Sequence, residues 1–184
     1  MLDAPVSGGV LRARDADLTV MVGGSEQDFQ DAVKILECFA SKIFYVGGTS
    51  TGHLLKALNN LLSATTLVSA SEALLLATRA GIDPHRFIEV INSSTGRSNS
   101  TEVKFPPYIL TGEFGDGFAA SLMEKDLKIA LEVAAEMDFP LTVGSAVVHM
   151  WEEAIDRGLS TRDHTEFFSV LQQLMADRKG PAGG

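Results

Sequence analysis

TGHLLKALNNLLSATTLVSASEALLLATRA, residues Thr51 to Ala80, contains no proline and stops at Gly81, a suitable C′ residue for a helix. About 30 residues at 1.5 Å each make a helix of roughly 45 Å. Leucine, valine and alanine lie almost all round it, so the helix is expected to be buried, with a partner subunit covering part of it. Near its start, Lys56, Asn59 and Asn60 stand at i, i+3 and i+4, the spacing of neighbours on one helix face. Leu54, Leu55, Leu58, Leu61 and Leu62 flank them. Buried polar groups need partners, and a buried ammonium is costly unless paired or deprotonated. The trio is therefore a satisfied structural knot or a reaction site. In the second reading Lys56 is a general acid/base whose pKa is lowered by apolar surroundings and by the positive end of its own helix. In the first, its long stem carries the ammonium to solvent.

Working outward towards the N-terminus, the periodicity changes. Leu18 to Val22 ends in Gly23-Gly24 and reads as a short buried strand. Ser25 caps a helix expected over about 26–40, with Phe29, Val33, Leu36 and Cys38 inside. Ile43 to Val46, ending in Gly47-Gly48, reads as a second strand. With Ala4-Pro5-Val6 ahead of them, these pieces resemble the closing β-α-β of an open sheet whose beginning is missing. Towards the C-terminus the signal is helical throughout. Asp83 and Pro84 start a helix to about Asn92, as cap and first-turn residue. Residues 93–117 read as irregular. Helices follow over about 119–137, 143–156 and 164–176. Their inward stripes are expected to be Leu122, Ile129, Val133 and Met137; Val143, Val147, Met150 and Trp151; then Phe167, Phe168, Leu171 and Leu174.

The chain has 184 residues, 45% of them hydrophobic, enough to bury a real core. Its net charge of −9 and scattered basic residues argue against a nucleic-acid surface. The lone Cys38 excludes an internal disulfide. No run reaches about 18 uninterrupted apolar residues, so no membrane contact is expected, and the protein is expected to be cytoplasmic. The segment 179–184 reads as a disordered tail.

Three further places carry chemistry. Ser7-Gly8-Gly9, in DAPVSGG, is either an ordinary glycine-rich turn or bare backbone that cradles a carboxylate. Lys125-Asp126 is either a solvated pair near a helix start or a functional pair. His53 has no metal-site partners, His149 reads as core edge, and Asp163 as the cap of the helix that follows it.

DAPVSGG, then LTVMVGG, then K-x-x-N-N after a glycine-containing turn, then MEKDL, resemble in order and spacing the β-hydroxyacid dehydrogenases. The resemblance runs from Asp3 to about Met175. It implies a mainly α fold: a helical C-terminal domain like that of 6-phosphogluconate dehydrogenase, with a long central helix, over 49–178. The last β-α-β piece of a Rossmann-like sheet precedes it over 1–48. It implies NAD(P)-dependent interconversion of a 3-hydroxy acid and its semialdehyde, with NAD or NADP as cofactor and no metal. In those terms Lys56 matches the catalytic lysine, and Asn59 and Asn60 the substrate-holding asparagines. Ser7, Gly8 and Gly9 match the loop for the substrate carboxylate, and Lys125 and Asp126 stand near the cofactor. The expected partners are a small 3-hydroxy acid and a second copy of the chain, as homodimer or tetramer through the long helix.

Two departures stand out. Ser50 takes the place of the first glycine in the family's G-x-G-x-x-x-K, and Arg12 to Asp17 is more charged than the usual small-residue loop. The sequence also lacks G-x-G-x-x-G with an acidic residue about 20 positions on. These residues therefore read as a truncated form, inactive alone. The other reading is a non-catalytic helical dimerisation module. Side chains that select the substrate are expected within Ser93 to Ser100 and near Phe118.

Overall fold

The structure is a computed structural model, described here for residues 1–177. The expected tail at 179–184 lies outside the described residues. The chain forms two compact units, Met1–Leu61 with Asp126–Pro140, and Leu62–Lys125 with the residues from Leu141 onward.

The first unit holds a three-stranded sheet in the order β1-β2-β3. Strand β1 (Val6–Ser7) is short and antiparallel to β2 (Leu18–Gly23), with Val6 opposite Val20 and Ser7 opposite Thr19. It starts two residues later than the expected Ala4-Pro5-Val6, because Pro5 has no N–H to give to a ladder. Strand β3 (Ala40–Gly47) runs parallel to β2, the β-α-β arrangement expected from the sequence. Between β1 and β2 lies α1 (Gly9–Arg14), and between β2 and β3 lies α2 (Glu26–Leu36). The Ser25 hydroxyl accepts the Asp28 N–H at 3.1 Å, so the expected cap is present. Helix α2 stops four residues earlier than expected, and Cys38 is exposed beyond its end rather than inside it. Leu18, Val20, Val22, Leu36 and Ala40 form the core, with Leu2, Ala4, Phe29, Ala32 and Ile43 packed against it.

Helix α3 (Thr51–Arg79) matches the long helix of the sequence reading and contributes to both units. By length and composition it could cross a membrane. Ala57, Leu61, Ala64, Leu67, Val68 and Leu74 are buried along it, as in the central helix of a folded core. It is not covered all round, however. Leu55, Leu58, Leu62 and Leu76 are exposed, Leu62 at 68% and Leu76 at 69%.

In the second unit, α4 (Pro84–Asn92) begins as expected, with the Asp83 carboxylate accepting the Arg86 N–H at 2.9 Å. The segment expected to be irregular contains α5 (Asn99–Val103) and a π-turn over Phe105–Ile109. Ser98 and Thr101 form a reciprocal capping box that starts α5. Helices α6 (Ala120–Glu136), α7 (Thr142–Ala154) and α8 (Phe167–Asp177) follow.

The stripe expected on α6 is displaced by one position. Leu122 and Met137 are exposed, while Met123, Leu127, Ala130 and Ala134 are buried. Ala130 and Ala134 supply part of the buried face, and a reading weighted by side-chain size passes over them. On α7, Val147 and Trp151 are buried as expected, but Val143 is exposed, and so is His149, which pairs with Glu152 at 3.1 Å rather than edging the core. Trp151 stacks on Phe167 at 4.6 Å between ring centroids, and Leu171 and Leu174 complete the expected α8 face.

Candidate functional site

Lys56, Asn59 and Asn60 lie on α3 within the first unit. Lys56 is half-buried, Asn59 exposed and Asn60 buried, so the face they share descends from solvent into the core. Asn60 Nδ2 donates to Asp126 Oδ2 at 2.5 Å, and both residues are 6% exposed. Asn59 Nδ2 in turn donates to Asn60 Oδ1 at 3.3 Å. The two amides and Asp126 are thus one hydrogen-bonded chain, 66 residues of sequence apart at its longest step. Asp126 lies in the seventh position of α6, beyond the first turn, and is buried. The solvated-pair reading therefore fails for Asp126, while Lys125 beside it is exposed. A carboxylate taking a short hydrogen bond from a buried amide fixes that amide's rotamer, and with it the orientation of the face.

Ser7, Gly8 and Gly9 stand where β1 passes into α1. Gly8 has φ +140° and Gly9 φ +67°, and a Cβ on Gly8 would stand 3.0 Å from both Arg12 Cβ and Leu18 Cδ2. The tight turn leaves first-turn N–H groups of α1 without intrahelical acceptors, the donors a carboxylate needs. The charged stretch that follows is knitted into the fold: Arg12 Nε donates to Asp17 Oδ2 at 2.9 Å, and the Ser41 hydroxyl donates to Asp17 Oδ1.

A family profile described as NAD-binding of NADP-dependent 3-hydroxyisobutyrate dehydrogenase matches residues 50–171, and one described as the NAD binding domain of 6-phosphogluconate dehydrogenase matches residues 1–47. The first covers well over half of the chain. The chain belongs to the β-hydroxyacid dehydrogenase family.

Among relatives of known function in this family, the chain is 38% identical over 184 residues to the mitochondrial 3-hydroxyisobutyrate dehydrogenase of Drosophila melanogaster. It is 37% identical over 173 residues to 2-(hydroxymethyl)glutarate dehydrogenase of Eubacterium barkeri. These alignments take in 97% and 94% of this chain but 56% and 58% of the relatives, so the chain spans little more than half their length. The 3-hydroxyisobutyrate dehydrogenase of Mycobacterium tuberculosis, solved with L-serine, superposes with a TM-score of 0.83 at 30% identity, over 94% of this chain and 60% of that one. The enzyme of the same name from Salmonella typhimurium gives 0.82 at 30% identity, over 92% and 60%.

In this β-hydroxyacid dehydrogenase chain Ser50, in the turn ahead of α3, adopts φ +73°. That region disfavours any side chain by about 1 kcal/mol or more. Ser50→Gly is expected to raise stability by about 0.5 kcal/mol, the relief of strain being offset in part by glycine's freedom when unfolded. The midpoint of urea unfolding measures it.

The second unit holds a polar cluster that the sequence did not reveal. Lys104 is 6% exposed and its Nζ donates to Ser63 Oγ at 2.8 Å. Burial pushes its pKa down, and the charges of Asp116 and Asp163 act against that. Asp163 Oδ2 accepts the N–H groups of Gly117 (2.8 Å) and Phe118 (3.2 Å), while Oδ1 accepts the Thr165 N–H (2.9 Å) and hydroxyl (2.6 Å). His164 N–H reaches the Phe118 carbonyl at 2.9 Å, and its ring stands edge-on to Phe118 at 5.6 Å. Phe118 is therefore held by main chain and ring together. Lysine and histidine have no helical period of their own, and a 41-residue separation hides the Lys104–Ser63 contact from any local reading.

Partial burial favours the neutral form of Asp163, but the hydrogen bonds from His164, Thr165 and Gly117 outweigh it and hold the carboxyl well below the usual aspartate range. A proton therefore binds the unfolded chain before the folded one as pH falls. The stabilisation is complete above about pH 5 and is lost progressively as pH falls from there towards the depressed native value. Asp163→Ala is expected to cost about 3 kcal/mol at pH 7 and distinctly less near pH 2, read from melting curves at both pH values.

Proposed function

We propose that this chain carries the substrate-binding and proton-transfer part of an NAD(P)-dependent dehydrogenase that interconverts a 3-hydroxy acid and its semialdehyde. The observation that carries the reading is the Lys56 face of α3, half-buried and backed by the Asn59–Asn60–Asp126 hydrogen-bond chain. Family membership and the names of the relatives support the reaction class.

In the oxidation direction the Lys56 amine takes the hydroxyl proton as the C–H bond of the carbinol carbon breaks, leaving an ammonium and a carbonyl. In reduction the ammonium returns that proton to the carbonyl oxygen. Asn59 and Asn60, neutral at every working pH, orient the substrate, and Ser7 with the Gly8 and Gly9 N–H groups takes its carboxylate. The donors suit a small acid with one carboxylate and one alcohol. The nicotinamide, when bound, supplies the hydride acceptor or donor. Gly48, just past β3, has open space where a side chain would stand, which suits the close approach of a cofactor.

NAD or NADP is the cofactor, the cytoplasm is the compartment, and neither nucleic acid nor membrane is a partner. Phe118 and Ser93 to Ser100 choose among 3-hydroxy acids. A shallow depression lined by Asn92, Ser93, Ser94, Thr95 and Arg97 lies within the second unit. The 184 residues carry no dinucleotide fingerprint, so alone they turn over slowly. Brisk NADH or NADPH formation from 3-hydroxyisobutyrate by this chain would refute that statement. The exposed Leu55, Leu58, Leu62 and Leu76 of α3 support assembly of two or more copies through this helix. Light scattering tests it, and a strict monomer excludes it.

A further inference from the structure

We propose that Asp3 is the positioning residue for Lys56, fixing the first turn of α3 to the end of β2. Nothing in the reaction itself calls for Asp3, yet its side chain is only 10% exposed and is tied on all sides. Its Oδ1 accepts the Ser50 N–H at 2.8 Å and its Oδ2 the His53 N–H at 2.8 Å. His53 Nδ1 stands 3.3 Å from the same Oδ2. The main chain of Asp3 pairs with Gly23 in both directions, at 3.0 and 2.8 Å. One carboxylate thus satisfies two donors at a helix start from 47 and 50 residues away, and places its negative charge at the positive end of the helix.

The seat for this carboxylate is built by omission. A Cβ on Gly23 would stand 2.5 Å from Asp3 Oδ1, and a Cβ on Gly52 would stand 2.7 Å from Oδ2. Two side chains are therefore left out where the carboxylate sits. Burial works against the charged form of Asp3, but the N–H groups of His53 and Ser50 and the His53 ring outweigh it and hold the carboxyl below the usual range. Lys56 follows His53 by three residues, about 4.5 Å along the axis, so any play in the first turn is passed to the lysine directly. The strand that leaves Asp3 in the other direction reaches Ser7, so one residue fixes the origin of both the lysine face and the carboxylate loop.

This rests on the reading of Lys56 as the proton carrier, and the test separates the two. The variants are Asp3→Asn, which keeps the size of the side chain but leaves an NH2 facing one of the two N–H donors, and Ser25→Ala, which removes the α2 cap elsewhere in the unit. Amide exchange is read at Ser50 and His53, together with the 13C resonance of reductively methylated Lys56, all without substrate. Exchange about tenfold faster and a moved Lys56 resonance in Asp3→Asn, with neither in Ser25→Ala, establish the tether. Wild-type behaviour of Asp3→Asn, or equal changes in Ser25→Ala, overturn it. In the complete enzyme Asp3→Asn lowers kcat about tenfold with little change in KM, and an unchanged kcat also overturns the proposal. A wild-type enzyme with no turnover retires the proposed reaction and leaves the exchange and resonance result to decide the tether.

Discussion

Lys56→Ala is expected to lower kcat of the complete enzyme by about 10²- to 10⁴-fold, the range for a lost general acid/base. KM for the hydroxy acid changes far less, because Ser7, Gly8, Gly9, Asn59 and Asn60 remain. The melting temperature stays within a few degrees, since Lys56 is half-buried and Asn60 keeps its bond to Asp126. Lys56→Arg divides two explanations. Arginine keeps the positive charge but does not release its proton at any working pH. If the lysine acts by proton transfer, Arg is nearly as inactive as Ala. If it acts only as a fixed charge, Arg retains much of the rate. Steady-state kinetics of the three proteins, with melting curves beside them, read this out.

The second large effect is on stability. Gly52→Ala should gain about 1 kcal/mol from helix propensity alone. Packing overrules it: the added Cβ would stand 2.5 Å from the Met21 carbonyl oxygen and 2.7 Å from Asp3 Oδ2. The backbone of β2 cannot turn aside as a flexible side chain would, so the start of α3 must move away from the sheet. Overpacking of this kind costs about 1–3 kcal/mol, more against main chain. The net expectation is a loss of about 2 kcal/mol, or a melting point lower by roughly 4–8 °C. Gly48→Ala, four residues earlier, meets nothing within 4 Å and should be near neutral. Thermal unfolding of the pair measures the contrast; equal midpoints would show that α3 is not pressed against β2.

The contrast between Gly52 and Asp83 shows what a single sequence carries and what it hides. Asp83-Pro84 announces α4 because cap and proline act within one turn, and the structure shows that cap. The length of α3, the caps at Ser25 and Asp163, and the parallel pairing of β2 with β3 are legible for the same reason: each follows from local chemistry or short-range period. The box at Ser98 and Thr101 escapes notice because threonine, not glutamate or glutamine, stands at its third position. The buried face of α6 escapes because alanines form half of it.

At the site, the spacing of Lys56, Asn59 and Asn60 is visible in the chain, but the partner of Asn60 is not. Asp126 lies 66 residues away, and its neighbour Lys125 makes the pair look like solvated surface. Asp3 is hidden more deeply. In sequence it is one polar residue ahead of a proline. Its role exists only once β2 has brought Gly23 beside Gly52.

The reaction class is tested most directly by initial rates of NADH or NADPH formation at 340 nm in the complete enzyme, with 3-hydroxyisobutyrate compared against a 2-hydroxy acid such as lactate. Turnover with the 3-hydroxy acid and little with lactate is the expected result. Preference for lactate, or no turnover of any 3-hydroxy acid by a folded enzyme with cofactor bound, would contradict the account.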